Sequence, residues 1–248
     1  MMVQKTLDIL DYLSNNPNGA TLTTIVKYLQ FPKTTVYDIL KILVKNDYVQ
    51  YDNSDKKIYC IGAKAYTIGY TYFESSALYK IARPYLHLLA NKYGKTTFLS
   101  KRLDDRAVSV YKYASSPANI SGKIGELKYL HSTSIGKCFL AFDTEAAPLI
   151  DTIDLPAKTP YTITDREKLK ANIAEIQMRG YSWESREDYL GTSCLAAPIF
   201  SNGAMIGTIS MVGGYKEDEN FSSQGSEIAQ FAKLISTQLG QEKNSTIP

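Results

Sequence analysis

The first 62 residues carry apolar patterns in an order that few folds accommodate. Apolar residues recur at helical spacing over 3–13, over 22–29 and from Pro32 onward. Two short β-favouring runs follow, 48–51 and 57–60, with turn-forming residues 52–56 between them. Three helices followed by a hairpin predict a winged helix, whose third helix is short enough to lie in a DNA major groove.

The third predicted helix has two chemically different faces. One face carries an apolar stripe suited to a core: Val36, Ile39, Leu40, Leu43 and Val44. Helices that enter the groove present their first turns to bases and phosphates. We therefore predict that double-stranded DNA is contacted by the polar residues of these turns: Lys33, Thr34, Thr35, Tyr37 and Lys41.

The charge balance excludes binding to nucleic acid by electrostatics alone. The whole chain has 28 basic and 25 acidic residues, a net charge of +3. Residues 1–75 contain eight lysines and no arginine against seven acidic residues, a net charge of +1. A solvated amphipathic helix without a DNA-binding role therefore remains an alternative to a DNA-reading helix.

The remainder of the chain alternates between helical and strand patterns. Residues 63–93 predict a linker helix and a second helix, with an interruption at 74–76. Beyond them, strands are predicted at 96–102, 107–113, 194–200 and 205–212, and helices at 135–142, 165–179 and 222–239. Thr164 and Glu167 form the pattern of a capping box, and Gly180 stands where a C-terminal cap is expected.

These patterns predict an α+β protein with four parts. They are a winged helix-turn-helix over 1–62, a linker helix over 63–77, an α/β domain over 78–241 and a polar tail over 242–248. The charge-rich run 183–188 is typical of a solvated loop. We expect Glu184 to point into a pocket, and Glu187 and Asp188 to hold the loop that frames it.

Several classes of function are disfavoured by the residue types. Three widely spaced cysteines and two histidines give no disulfide framework and no paired spacing for zinc, so we expect no metal, no cofactor and a reducing, cytoplasmic location. No apolar run approaches the ~20 residues of a membrane span. The run 131–138 lacks the glycine and hydroxyl residue of a phosphate-binding loop, so Lys137 is expected to be structural or a surface charge.

Motifs along nearly the whole chain resemble those of the isocitrate lyase regulator (IclR) family of bacterial transcription regulators. In the first domain they are 31–43, 47–49 and 59–62. Downstream they are His131–Cys138, 162–165, 179–181, Glu187, Gly191, Cys194 and 196–199, in the order and approximate spacing of the family.

The resemblance implies a GAF-like effector-binding domain, a homodimer or dimer of dimers, and a small organic or aromatic acid as effector. Carried over position by position, the effector-binding residues would be Ser134, Ile135, Gly136, Glu184, Cys194, Ser210 and Val212. Backbone N–H groups at the start of the helix near Ser134 would suit a carboxylate. The predicted function is therefore a ligand-responsive repressor or activator of a metabolic operon, and not an enzyme.

Two positions depart from the family pattern. Asp38 stands where an arginine is usual, and a carboxylate there would repel phosphates but could accept a hydrogen bond from cytosine N4. Val212 replaces a frequent serine, which removes one hydrogen bond to the effector and favours a more apolar ligand. The operator sequence and the effector of this protein therefore cannot be inferred from those of other family members.

Two alternatives come from other classes of function. A GAF-type thiol enzyme would use Cys194 as its nucleophile. A winged-helix interaction module would bind a protein in place of DNA. Substituting Cys194 would abolish the first activity, whereas removing Lys33 and Lys41 would weaken only DNA binding.

Overall fold

The chain divides into two units, Met1–Ser76 and Ala77–Pro248, in a computed structural model that describes residues 2–53, 57–116 and 122–245. The elements of the first unit are α1 (Met2–Ser14), β1 (Ala20–Thr21), α2 (Leu22–Leu29), α3 (Lys33–Lys45), β2 (Val49–Asn53), β3 (Ile58–Ile61) and α4 (Ala63–Ser75). The three predicted helices and the hairpin are confirmed. Of the predicted turn over 52–56, residues 54–56 lie outside the described part.

The first unit also contains a short strand that the sequence analysis missed. Strand β1 pairs antiparallel with β3, giving a three-stranded sheet in the order β1-β3-β2. Thr21 ends this strand and caps α2, since its hydroxyl accepts a hydrogen bond from the Thr24 N–H at 3.2 Å. Gln30, in the left-handed region at φ 55°, ends α2. Pro32, expected to be the first residue of the third helix, is instead the N-cap of α3, which begins one position later at Lys33.

The apolar stripe of α3 lies in the core of this unit. Val36, Ile39, Leu40 and Leu43 are buried together with residues of α1, α2 and the sheet: Ile9, Leu13, Ala20, Ile25, Val49 and Tyr59. Burying these side chains fixes which face of α3 is left at the surface. The polar residues of its first turns are on that remaining face.

The second unit is built on one antiparallel sheet. Its elements are α5 (Ala77–Tyr93), β4 (Thr96–Leu103), β5 (Arg106–Ala114), β6 (Leu127–Tyr129), α6 (Ser134–Phe142), a 3₁₀ turn (Ala147–Asp151), α7 (Arg166–Arg179), β7 (Ser182–Ser185), β8 (Thr192–Ser201), β9 (Ala204–Gly214) and α8 (Phe221–Ser245). The six strands are ordered β6-β5-β4-β9-β8-β7. The predicted α+β class is confirmed.

Helices cover both faces of this sheet. Helices α5 and α8 pack on one face around Leu86, Leu99, Ile209 and Ile235. Helix α6 packs on the other face, backed by α7, around a second core that includes Phe139. Among the described residues, no helix combines the length and the apolar character needed to cross a membrane.

Three local predictions were wrong. Residues 183–188 are not all loop, because Ser182–Ser185 is strand β7. The N-cap of α7 is Asp165 and not Thr164, since the Asp165 carboxylate accepts the Lys168 N–H at 2.8 Å; Gly180 is confirmed as its left-handed C-cap. The predicted tail begins inside α8, which continues to Ser245, while residues 246–248 lie outside the described part.

Candidate functional site

Alternate residues of four neighbouring strands form the floor of a cavity in the second unit. Residues opposite each other on paired antiparallel strands point to the same face of a sheet. The register places Glu184 opposite Cys194, Cys194 opposite Val212, and Val212 opposite Thr96. In the next row on this face, Ser210 lies between Ala196 and Phe98.

The cavity above this floor has a volume of about 320 Å³, which suits a small molecule. It is lined by Phe98, Ser109, Gly122, Lys123, Lys128, Thr133, Ser134, Ile135, Glu184, Asp188, Tyr189, Gly191, Thr192, Cys194, Ser210 and Val212. Every predicted effector-binding residue except Gly136 is in this lining.

Gly136 is not part of this lining and packs against the backbone of Leu130. A Cβ atom at this position would lie 2.3 Å from the Leu130 Cα, so only glycine lets α6 approach that backbone. The Thr133 hydroxyl caps the helix by accepting the Gly136 N–H at 3.0 Å. Together these contacts position the first turn of α6, with Ser134 and Ile135, at the cavity wall.

Glu184 is the buried ionisable group of the floor. Its side chain is 1% exposed, and Oε2 accepts the backbone N–H of Glu187 at 2.9 Å. Oε1 has no hydrogen-bond partner among the described residues, and the Cys194 thiol beside the carboxyl is only a weak donor. Burial raises the pKa of the Glu184 carboxyl to about 7, which the thiol and the N–H of Glu187 only partly oppose.

A buried ion pair holds the segment that follows β7. Lys137 is fully buried, and its Nζ donates to Glu187 Oε1 at 2.5 Å. The Thr162 hydroxyl donates to the Glu187 carbonyl at 2.6 Å. Of the two predicted alternatives for Lys137, a structural residue or a surface charge, burial and this pairing favour the first. Glu187 holds the segment that frames the cavity.

A second charged cluster, centred on Lys128, also lines the cavity, and of its residues the sequence analysis named only Asp188. Lys128 donates to Glu126 at 2.9 Å, to Tyr189 at 3.1 Å and to Asp188 at 3.2 Å. Although burial opposes its charge, Asp188 and Glu126 raise the pKa of the Lys128 ammonium. Lys128 belongs to the edge strand β6, whose three residues give too short a pattern to identify.

The environment of Cys194 is opposite to that of a nucleophilic thiol. Burial, and then the neighbouring Glu184 carboxyl, raise the pKa of this thiol well above its usual value. Nucleophilic cysteines have a lowered pKa, because the thiolate is the reactive form. Within the described ranges, no group of three or more His, Cys, Asp or Glu side chains is arranged to hold a metal ion.

The exposed face of α3 is the candidate surface in the first unit. Lys33, Thr34, Tyr37 and Lys41 are exposed, whereas Thr35 is half-buried. Sequence reasoning omitted one neighbour, Ile42, whose side chain is 62% exposed and one helical turn beyond Asp38. Its exposure identifies it as a candidate DNA contact, because an apolar residue at the surface of such a helix suits contact with thymine methyl groups.

A winged helix with an exposed third-helix face and a separate domain with a ligand-sized cavity define a ligand-responsive, DNA-binding regulator. Residues 2–53 match the model of the IclR helix-turn-helix domain, and residues 70–237 match that of the bacterial transcriptional regulator IclR C-terminal domain. The chain belongs to the IclR family of bacterial transcriptional regulators.

Individual relatives and structures agree with this assignment. An uncharacterized HTH-type transcriptional regulator of Haemophilus influenzae is 30% identical, over 95% of this chain and 91% of the relative. The HTH-type transcriptional repressor AllR of Salmonella typhimurium is 27% identical, over 96% of this chain and 89% of that repressor. The crystal structure of an IclR transcriptional regulator from Alicyclobacillus acidocaldarius is 26% identical, with a TM-score of 0.85 over 96% of this chain and 98% of that one.

Proposed function

We propose that this regulator is a repressor that binds operator DNA through α3 and the wing, and that a small carboxylate in the cavity changes its affinity for that DNA. The observation that carries the proposal is the cavity, where residues from α6, β7, β8 and β9 converge on one ligand-sized space. A relative that covers nearly all of the chain is named a repressor, which favours repression over activation.

The proposed DNA contacts are Lys33, Thr34, Thr35, Tyr37 and Lys41. Among the ion pairs of the described residues, none involves Lys33 or Lys41, so both ammonium groups are available to phosphates. The net charge of +1 over residues 1–75 is low for one DNA-binding unit. A homodimer, or a dimer of dimers, would double these lysines at the DNA and supply two half-site contacts.

The proposed effector site has a polar end and apolar walls. The first turn of α6, with Ser134 and Ile135 at the cavity, offers backbone N–H groups and the positive end of the helix dipole to a carboxylate. Phe98 and Val212 supply apolar surface across the floor. Glu184, Cys194 and Ser210 are the proposed polar partners for the rest of the ligand.

The ligand would act by coupling and without a catalytic step. An effector that binds one arrangement of the protein more tightly shifts the population toward it, and the affinity for DNA changes by the same free energy. The raised pKa of the Cys194 thiol supports a binding role for this residue. Because its target is DNA, we place the protein in the cytoplasm of the bacterial cell.

The test is a salt series of binding to the duplex upstream of the regulator's own gene and to a scrambled duplex. We expect tighter binding to the first duplex, and log K falling linearly with log salt. The double variant Lys33→Ala/Lys41→Ala should reduce the slope by about 3 to 4 for a dimer, since four phosphate contacts are lost. Lys216→Ala, an exposed lysine of the second unit, is the matched control.

Two results would contradict the proposal. Equal affinity for both duplexes, with and without a metabolite extract, would remove the operator-binding function. Unchanged DNA binding in the double variant would show that α3 is not the DNA-contacting helix.

A further inference from the structure

One carboxylate oxygen in the cavity has no adequate donor. Glu184 lines the cavity and is 1% exposed; its Oε2 is occupied by the Glu187 N–H at 2.9 Å, and its buried Oε1 has no hydrogen-bond partner among the described residues. Leaving a buried acceptor unpaired costs free energy, and a thiol such as that of Cys194 is too weak a donor to offset this. The free oxygen indicates what a ligand must supply.

Nearby donors of the protein are already engaged. The Lys137 ammonium pairs with Glu187, and the Lys128 ammonium is shared among Glu126, Asp188 and Tyr189. The Ser182 hydroxyl, on the same strand and face, donates to the Ser134 carbonyl at 2.6 Å. Any of these three groups would have to leave its present bond to become a partner of Oε1.

We propose that the effector presents a hydroxyl or N–H group to Glu184 Oε1 in addition to its acid group, so that the ligand class is a hydroxy, amino or amide acid. This inference rests on the proposed effector site and narrows it. An unsubstituted acid of the same size would leave Oε1 unpaired. It would also place its apolar part against a buried carboxyl.

The direction of proton transfer distinguishes a ligand that donates a hydrogen bond to Glu184 from a ligand that accepts one from it. A ligand donor stabilises the ionised Glu184 carboxylate, so binding near pH 7 releases protons to the solvent. If a ligand carboxylate occupied Oε1 instead, Glu184 would have to be protonated and binding would take up protons. Cys194, Glu187 and Lys137 act directly on the Glu184 carboxyl, and the other ionisable groups of the cavity lining are Lys123, Lys128, Asp188 and Tyr189; all of them are the same in both cases.

The experiment uses the full chain and pairs of acids that differ in one donor: acetate and glycolate, butyrate and 3-hydroxybutyrate, benzoate and 4-aminobenzoate. Affinity and proton release are measured by calorimetry at pH 7 in two buffers of different ionisation enthalpy. For the pair that fits the cavity, we expect the donor-bearing acid to bind at least tenfold more tightly and to release protons.

Two variants separate a ligand contact from a structural effect. Glu184→Gln should abolish the proton release and reduce the preference within the pair, because its amide nitrogen would face the ligand as a donor. Glu217→Gln, an exposed acid of the same unit, should change neither. Retained proton release in Glu184→Gln would overturn the assignment of the proton to Glu184.

The outcomes also separate this inference from the proposed function. Equal binding of both acids in a pair, or proton uptake, would overturn the inference and leave a small-acid effector standing. Failure of every acid to bind would overturn both.

Discussion

The raised pKa of Glu184 makes a ligand-independent prediction about stability. In the folded chain the pKa is about 7, against 4.5 for an unperturbed glutamate. The folded state therefore holds the proton more tightly, and this contribution to stability is complete below pH 4.5 and is lost as the pH rises through 7. At about 1.36 kcal/mol per pH unit, the full contribution is ~3.4 kcal/mol, of which ~2.5 kcal/mol is lost between pH 5 and pH 8.

Glu184→Gln removes the titrating group and keeps the shape of the side chain. We expect the free energy of unfolding of the natural chain to fall by ~2.5 kcal/mol more than that of the variant between pH 5 and pH 8. Urea unfolding can be followed by the fluorescence of Trp183, the only tryptophan of the chain and the neighbour of Glu184 on β7. This probe reports on the second unit alone.

Glu217→Gln is the matched control, since this exposed acid should leave the pH dependence unchanged. The reasoning is refuted if Glu184→Gln and the natural chain lose stability in parallel from pH 5 to pH 8. That result would mean that the Glu184 carboxyl is already ionised at pH 5.

Three further predictions concern other residues. Lys137→Met should lower the free energy of unfolding in urea by about 3–5 kcal/mol, because it leaves the Glu187 carboxylate unpaired. Adding Glu187→Gln to this variant should recover part of that loss. Additive losses in the double variant would contradict the pairing. Gly136→Ala should lower the melting temperature sharply because its Cβ has no space, whereas Gly69→Ala, with open space inside a helix, should raise it slightly; equal effects would refute the close approach. In a selection from random duplexes, Asp38→Asn should change one preferred cytosine to adenine, and an unchanged motif would show that Asp38 reads no base.

The elements that periodicity identified are those with long and one-sided apolar patterns. Helix α3 was found because four buried residues recur on one face over about two turns. Strand β7 was missed because two of its four residues, Ser182 and Glu184, are polar and yet buried, which reverses the usual pattern of a strand. Strand β1 has two residues and no pattern at all.

The candidate site was only partly accessible from sequence. The motif around Ser134 and the positions of Glu184 and Cys194 came from the family resemblance, which orders residues but does not orient them. Gly136 was therefore placed in the site although its backbone packs against Leu130. Phe98 was missed because its place in the floor depends on pairing with Ser210, more than a hundred residues later in the chain.

The same pairing sets when the site can form during synthesis. Strand β9 lies between β4 and β8 in the sheet, so the floor has a gap until β9 inserts between two strands made earlier. Such long-range pairings close late in folding, because the loop entropy must be lost before the contacts are gained. A nascent chain that ends before residue 204 would already carry a complete winged helix, and yet it would have no effector site. For a time during each round of translation, an intact DNA-binding unit therefore precedes the domain that controls it.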